Sequence, residues 1–112
     1  MRDDSLGRHI GRQLIRSSTS VAANYRSACI SQSKAAFLSK VGIVVEEADE
    51  TSFWIEFLME EGLLPERLVQ ELLREARELV SIFVVTQKTL RKNLKNDASA
   101  GKATKRTLKI EN

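Results

Sequence analysis

The sequence predicts an all-α protein: an antiparallel, up-down bundle of long helices. Three observations carry that reading. Apolar residues recur at alternating steps of three and four in three separate segments. The 112 residues include only five Gly and one Pro, and only six aromatic residues. A sandwich or barrel needs a turn every dozen residues or fewer, which so few turn-formers do not supply. At 42% hydrophobic and 29% charged, the chain has enough apolar mass for one soluble domain.

The first helix is expected from about Leu6 to Ala28, with Ile10, Leu14, Ser17, Val21, Tyr25 and Ala28 on its inner row. Asp3, Asp4 or Ser5 could cap it, and Gly7 and Gly11 weaken its opening turns by about 1 kcal/mol each relative to Ala. The second helix starts at an N-cap on Ser31 or Ser33. Its row Phe37, Val41, Val44, Ala48, Thr51, Ile55, Leu58 keeps a near-heptad step. Leu38, Val45, Ser52 and Met59 lie beside it, and Phe53, Trp54 and Phe57 widen the stripe. Gly62 suits the position just past its end. The third helix opens near Pro65, where a missing N–H is harmless. Leu68, Leu72, Ala76, Leu79, Phe83, Thr86, Leu90 and Leu94 form its predicted core row, with Val69, Leu73, Val80 and Val84 as a second face. Beyond Asn96 the apolar period is lost. The sequence therefore divides into a helical bundle domain at 1–95 and a basic, flexible tail at 96–112. Short links between helices favour antiparallel neighbours.

Charge falls in three blocks. Residues 1–45 hold seven Lys/Arg against two acids, a net +5; residues 46–87 hold three against eleven, −8; residues 88–112 hold eight against two, +6. Opposite blocks attract when packed antiparallel, but the C-terminal excess has no evident partner. A lone Cys29 excludes a disulfide framework and a cysteine-based zinc site. No apolar run approaches the roughly 20 residues of a membrane span, and no signal peptide opens the chain, so a cytoplasmic protein is expected.

The candidate sites are few. Arg8, Arg12 and Arg16 form one row, readable as a phosphate-contacting stripe or as ion pairs to Glu46, Glu47 and Glu50 on the next helix. Lys88, Arg91, Lys92 and Lys95 crowd the end of the third helix, more cations than complementing a helix dipole requires. The hydroxyl run Ser17, Ser18, Thr19, Ser20 reads as close packing, since the single histidine, His9, lies two or three turns away. Asn24 reads as a buried or interhelical amide. The acidic set lacks the Glu-x-x-His pairs of a di-metal bundle. No cofactor, metal or small-molecule substrate is expected, and no catalytic set converges, so the chain is not expected to be an enzyme. Phe53, Trp54 and Phe57, flanked by acids that repel phosphate, are expected in the core or at an oligomer interface.

The string GRQLIRSSTSVAAN at Gly11–Asn24 resembles the signature of the 23S ribosomal RNA intervening-sequence proteins, also called the four-helix bundle protein family. SKAAFLSKVGIVVEEADETSFWIEFL at Ser33–Leu58 and ELLREARELVSIFVVTQKTLRKN at Glu71–Asn93 agree with it, in the same order and spacing. The resemblance implies an antiparallel bundle and a homo-oligomer, typically a pentameric ring. It also implies a further helix before the GRQL stretch, which this chain lacks room for; truncation, or another chain filling the gap, would account for that. Some relatives assist reverse transcriptases and bind nucleic acid through a basic surface. The expectation is a non-enzymatic, oligomeric bundle binding RNA or DNA through Arg8, Arg12, Lys88, Arg91, Lys92 and Lys95. The alternative is a protein–protein interaction scaffold with no nucleic-acid role.

Overall fold

The 3–4 spacing of apolar residues yields three helices in the computed structural model: α1 (Ser5–Cys29), α2 (Lys34–Glu60) and α3 (Glu66–Glu111). The structure describes residues 5–111, with side chains as far as residue 101. Asp3 and Asp4, two of the three cap candidates, lie outside the described residues. No strand occurs among those residues.

Local chemistry sets the joints. Ser33 caps α2, its hydroxyl accepting from the Ala36 N–H at 3.0 Å. At the other end Gly62 takes φ +63°, a left-handed conformation that costs glycine little. The Leu63 N–H then reaches the Leu58 carbonyl at 3.2 Å and the Gly62 N–H reaches Met59 at 3.1 Å. This closing pattern folds Leu63 back onto Leu58 and Ile10, where all three are buried. Pro65 directly precedes α3, and its carbonyl accepts from Val69.

Packing centres on α2. Helices α1 and α3 both lie against it, and among the described residues they do not pack backbone to backbone against each other. They meet only through side chains. Leu14 packs against the cluster of Ile55, Val69 and Leu73, and the rings of Tyr25 and Phe83 sit 5.8 Å apart. The predicted α2 row is the spine of the core: Val41, Val44, Ala48, Ile55 and Leu58 are buried, and Phe37 and Thr51 are half-buried. On α1, Ile10, Ser17 and Ala28 are buried as the row requires, Leu14 and Val21 are half-buried, and Tyr25 is exposed.

Two expectations are corrected on α3. None of the row predicted as its core is buried: Leu68, Leu72 and Leu79 are 46%, 40% and 48% exposed, and Ala76, Phe83, Thr86, Leu90 and Leu94 are half-buried. On the supposed second face Val69 and Leu73 are buried, and Val80 and Val84 half-buried. The cause is that α3 has one neighbouring helix, and only the face turned to α2 is covered. Second, the chain does not leave the helix after Asn96, because α3 runs to Glu111. Ala98, Ala100 and Ala103 among Lys and Arg are strong helix formers, and extending an existing helix avoids the cost of nucleation. Loss of apolar period there reports loss of burial, not loss of helix. The Lys34 ammonium meets Asp97 at 2.6 Å, beyond the predicted domain boundary. With 46 residues, α3 is about 69 Å long and outruns α1 and α2 in a particle measuring 74 × 21 × 16 Å.

Truncating Ile10 or Ile55 to Ala is expected to lower unfolding free energy by about 2–5 kcal/mol, against less than about 0.5 kcal/mol for Val85→Ala on the exposed side of α3. Urea melts followed by circular dichroism check the contrast.

Candidate functional site

The antiparallel packing decides which charged residues meet. Arg16 lies one turn from Arg12 on α1, yet the two have different surroundings. Arg16 reaches across to α2 and pairs with Glu47 at 3.3 Å and with Glu50. Glu50 also accepts from the Trp54 indole N–H at 3.3 Å. Glu50 therefore joins the α1–α2 seam to the aromatic cluster. Its carboxyl is held below the ordinary range, chiefly by the hydrogen bond from Arg16 and next by that from Trp54. The Arg16 guanidinium is raised in turn, first by its bond to Glu50. Of the two readings of the arginine row, Arg16 follows the ion-pair one, with Glu47 and Glu50; Glu46 is not part of it.

Within the hydroxyl run Ser17 is buried in the seam, while Ser18 and Thr19 are exposed and bond to their own helix. Ser18 and Thr19 donate back to the carbonyls of Leu14 and Ile15, each at 2.6 Å. Fully buried Ser17 stands 2.9 Å from the Thr51 hydroxyl on α2. Asn24, expected as a buried or interhelical amide, is half-buried and donates to the Ser20 carbonyl within its own helix. His9 lies edge-on to Trp54, ring centroids 5.7 Å apart, away from the hydroxyl run.

Phe53, Trp54 and Phe57 form one ring cluster, with centroids 5.0 to 6.2 Å apart. Trp54 and Phe57 also pack on Ile10, Leu58 and Leu63. Only Phe53, at 51% exposure, remains largely on the surface.

The six cations singled out from the sequence do not form one patch. Because α1 and α3 run the same way, Arg8 and Arg12 stand near the start of α3. Lys88, Arg91, Lys92 and Lys95 stand just past its midpoint, at the opposite end of the bundle, and the two groups lie several helical turns apart. The four C-terminal cations are exposed and take part in no ion pair among the described residues. The nearby acid Asp97 is already engaged by Lys34. Helix α3 continues past them to Glu111, a continuation that sequence reasoning missed because it assigned no helix after Asn96.

Among the described residues no three His, Cys, Asp or Glu side chains converge as a metal site. None of the helices there is long and apolar enough to cross a membrane. The grooves are open surfaces. The one between α2 and α3, lined by residues including Met59, Leu73, Arg77 and Ser81, holds no paired nucleophile and base.

A family model described as 23S rRNA-intervening sequence protein matches residues 7–84. A solved structure, a protein of unknown function from the S23 ribosomal protein family of Bacteroides thetaiotaomicron, is similar in sequence and shape. It is 30% identical with a TM-score of 0.68, over 70% of this chain and 73% of that one. No curated protein matches the chain.

The lowered Glu50 carboxyl carries a stability prediction with a definite sign. A depressed native pKa contributes stability above the ordinary carboxyl value of 4.5 and loses it as pH falls through the lower native value. The gap in urea midpoint between the wild type and Glu50→Gln is expected to be constant above about pH 5.5 and to shrink below about pH 4.

Proposed function

This chain belongs to the 23S rRNA-intervening sequence protein family, and for it we propose a non-enzymatic, self-associating helical bundle that binds RNA or DNA non-specifically through the basic end of α3. One observation carries the reading: Lys88, Arg91, Lys92 and Lys95 are exposed, outside any ion pair among the described residues, on a helix that outruns the rest of the bundle. The description of the family names 23S rRNA, which is consistent with a polyanionic partner.

The chemistry favours phosphates over bases. Lysine is a compact charge on a flexible stem, suited to backbone contacts and poor at fixing a hydrogen-bond pattern on a base edge. Three of the four cations are lysine, and no aromatic platform accompanies them. Arg8 and Arg12, at the opposite end, lie outside this surface. The acidic block is carried by α2 and the first half of α3, so the molecule has a basic end and an acidic body. Such a dipolar particle meets a polyanion with its basic end first.

Fluorescence anisotropy with a mixed-sequence DNA duplex tests the reading. Four phosphate contacts give a slope of log K on log salt of about −3.6, and Lys92→Glu with Lys95→Glu is expected to flatten it by about two units. Arg67→Glu, at the other end of α3, should leave the slope unchanged. Binding indifferent to salt, or none at low salt, would sink the proposal; a protein partner that survives nuclease treatment would favour a scaffold instead.

A further inference from the structure

The spacing of the four cations on α3 matters as much as their number. Lys88, Arg91, Lys92 and Lys95 stand at i, i+3, i+4 and i+7, so they share one face of the helix within two turns, about 10 Å of its length. They make two columns, Lys88 with Lys92 and Arg91 with Lys95, each pair about one turn apart. At about 100° per residue the columns lie about 60° apart around the axis. On a helix about 10–12 Å in diameter that separates them by about 5–6 Å.

No acid interrupts this face. Glu78 is the last carboxylate of α3 before Asp97, and Asp97 is held by Lys34. The stretch of α2 alongside carries no acid either. Lys34 meets Asp97, and a methyl group at position 42 would stand 3.4 Å from the Gln87 amide nitrogen, so residues 34–42 run beside 87–97. That stretch holds Lys34 and Lys40 and no Asp or Glu. The face also lacks rings, since the chain has no aromatic residue after Phe83. Thr89, Asn93 and Asn96, exposed on the same segment, are short and uncharged and can bond phosphate or sugar oxygens.

We propose that the partner of this surface is a double-stranded nucleic acid, and that the two columns bind the phosphates of its two strands across a groove. The proposal rests on the nucleic-acid reading above and names the class within it. Along about 10 Å one strand presents about three phosphates in a single line, whereas a duplex presents about six in two lines. A single strand that follows one column leaves most of the other unmatched. The gap between the columns suits the minor groove of B-form DNA, about 6 Å wide, and the flexible lysine stems can splay to reach farther. Single-strand binders hold their ligand by stacking bases on aromatic rings, and this face offers none.

Fluorescence anisotropy over a salt series tests the class, with a mixed-sequence DNA duplex and a thymidine oligonucleotide of the same length, which does not pair with itself. Four contacts give the duplex a slope of log K on log salt of about −3.6, and three at most give the single strand about −2.1. Lines of those slopes that meet near 1 M salt differ about thirtyfold in affinity at about 0.1 M. Removing one column, by Lys88→Gln with Lys92→Gln or by Arg91→Gln with Lys95→Gln, should halve the duplex slope and cut the preference to about threefold, with helix content by circular dichroism unchanged. An RNA duplex run alongside identifies which duplex the columns fit, and either one preferred over the single strand supports the proposal. Salt-dependent binding that is as tight or tighter for the single strand keeps the nucleic-acid reading and overturns the duplex. A preference that survives loss of either column overturns the two-column geometry. No salt-dependent binding to any of these probes overturns the function proposed above together with this inference.

Discussion

Among the described residues, helix α2 is the element against which both others pack, and the rest of the molecule follows from that. Its buried row alternates branched and small residues: Val41, Val44, Ala48, Ser52, Ile55, Leu58. The small ones let neighbouring backbones approach, and the branched ones fill the space between. Ser17 and Thr51 show how close the α1 side comes, with two hydroxyls 2.9 Å apart in the seam. Such contacts tolerate no larger side chain, so they fix the height of α1 on α2. That height in turn sets which residues of α1 and α3 stand level with each other. One central rod with a neighbour on two of its sides leaves a concave face open.

How much of this could be read from the sequence differed by helix, for a physical reason. On α2 the apolar rows are broad, and the helix has neighbours to match, so any reading of the period identifies the buried set. On α3 two apolar rows compete, and periodicity cannot say which of them a neighbour covers. The choice between Val69 with Leu73 and Leu68 with Leu72 depends on where α2 lies, which is tertiary information. The C-terminal stretch failed differently. Hydrophobic period is a signal of burial, and a helix lying outside any core does not need it. Ala98 and Ala100 beside Lys95 carried the correct signal as intrinsic propensity. The Arg16 ion pair was legible because charged rows on antiparallel neighbours meet at predictable heights. The separation of Arg8 and Arg12 from the C-terminal lysines was not, because it follows from α1 and α3 running parallel.

Charge on this surface divides into groups that are satisfied and groups that are not, and the division carries more functional information than composition does. Glu50 accepts from Arg16 and Trp54; Asp97 is held by Lys34; Arg77 reaches Glu56 at 3.4 Å. These pairs knit α1 or α3 to α2 and account for part of the opposite block charges. Exposed pairs of this kind add little stability. Their value here lies in register, since each joins residues at one height on neighbouring helices. What they leave over includes the four exposed cations just past the midpoint of α3, at the end of the bundle far from Arg12.

At that far end the cations are arranged against their own helix. Lys88 is four residues from Lys92 and three from Arg91, and Lys95 is three from Lys92 and four from Arg91. Every one of these spacings brings side chains together on a helical surface, and like charges there oppose the helix they sit on. The segment lies along the first turns of α2, where Leu90 and Leu94 are only half-buried and Lys34 holds Asp97, so little packing offsets that repulsion. The helix dipole recovers only part, because it favours cations within the last turn, and these lie several turns earlier. A polyanion along the row relieves the repulsion directly, since each phosphate sits between cations that otherwise repel. In the proposed function, binding and helix order in this segment would therefore be coupled.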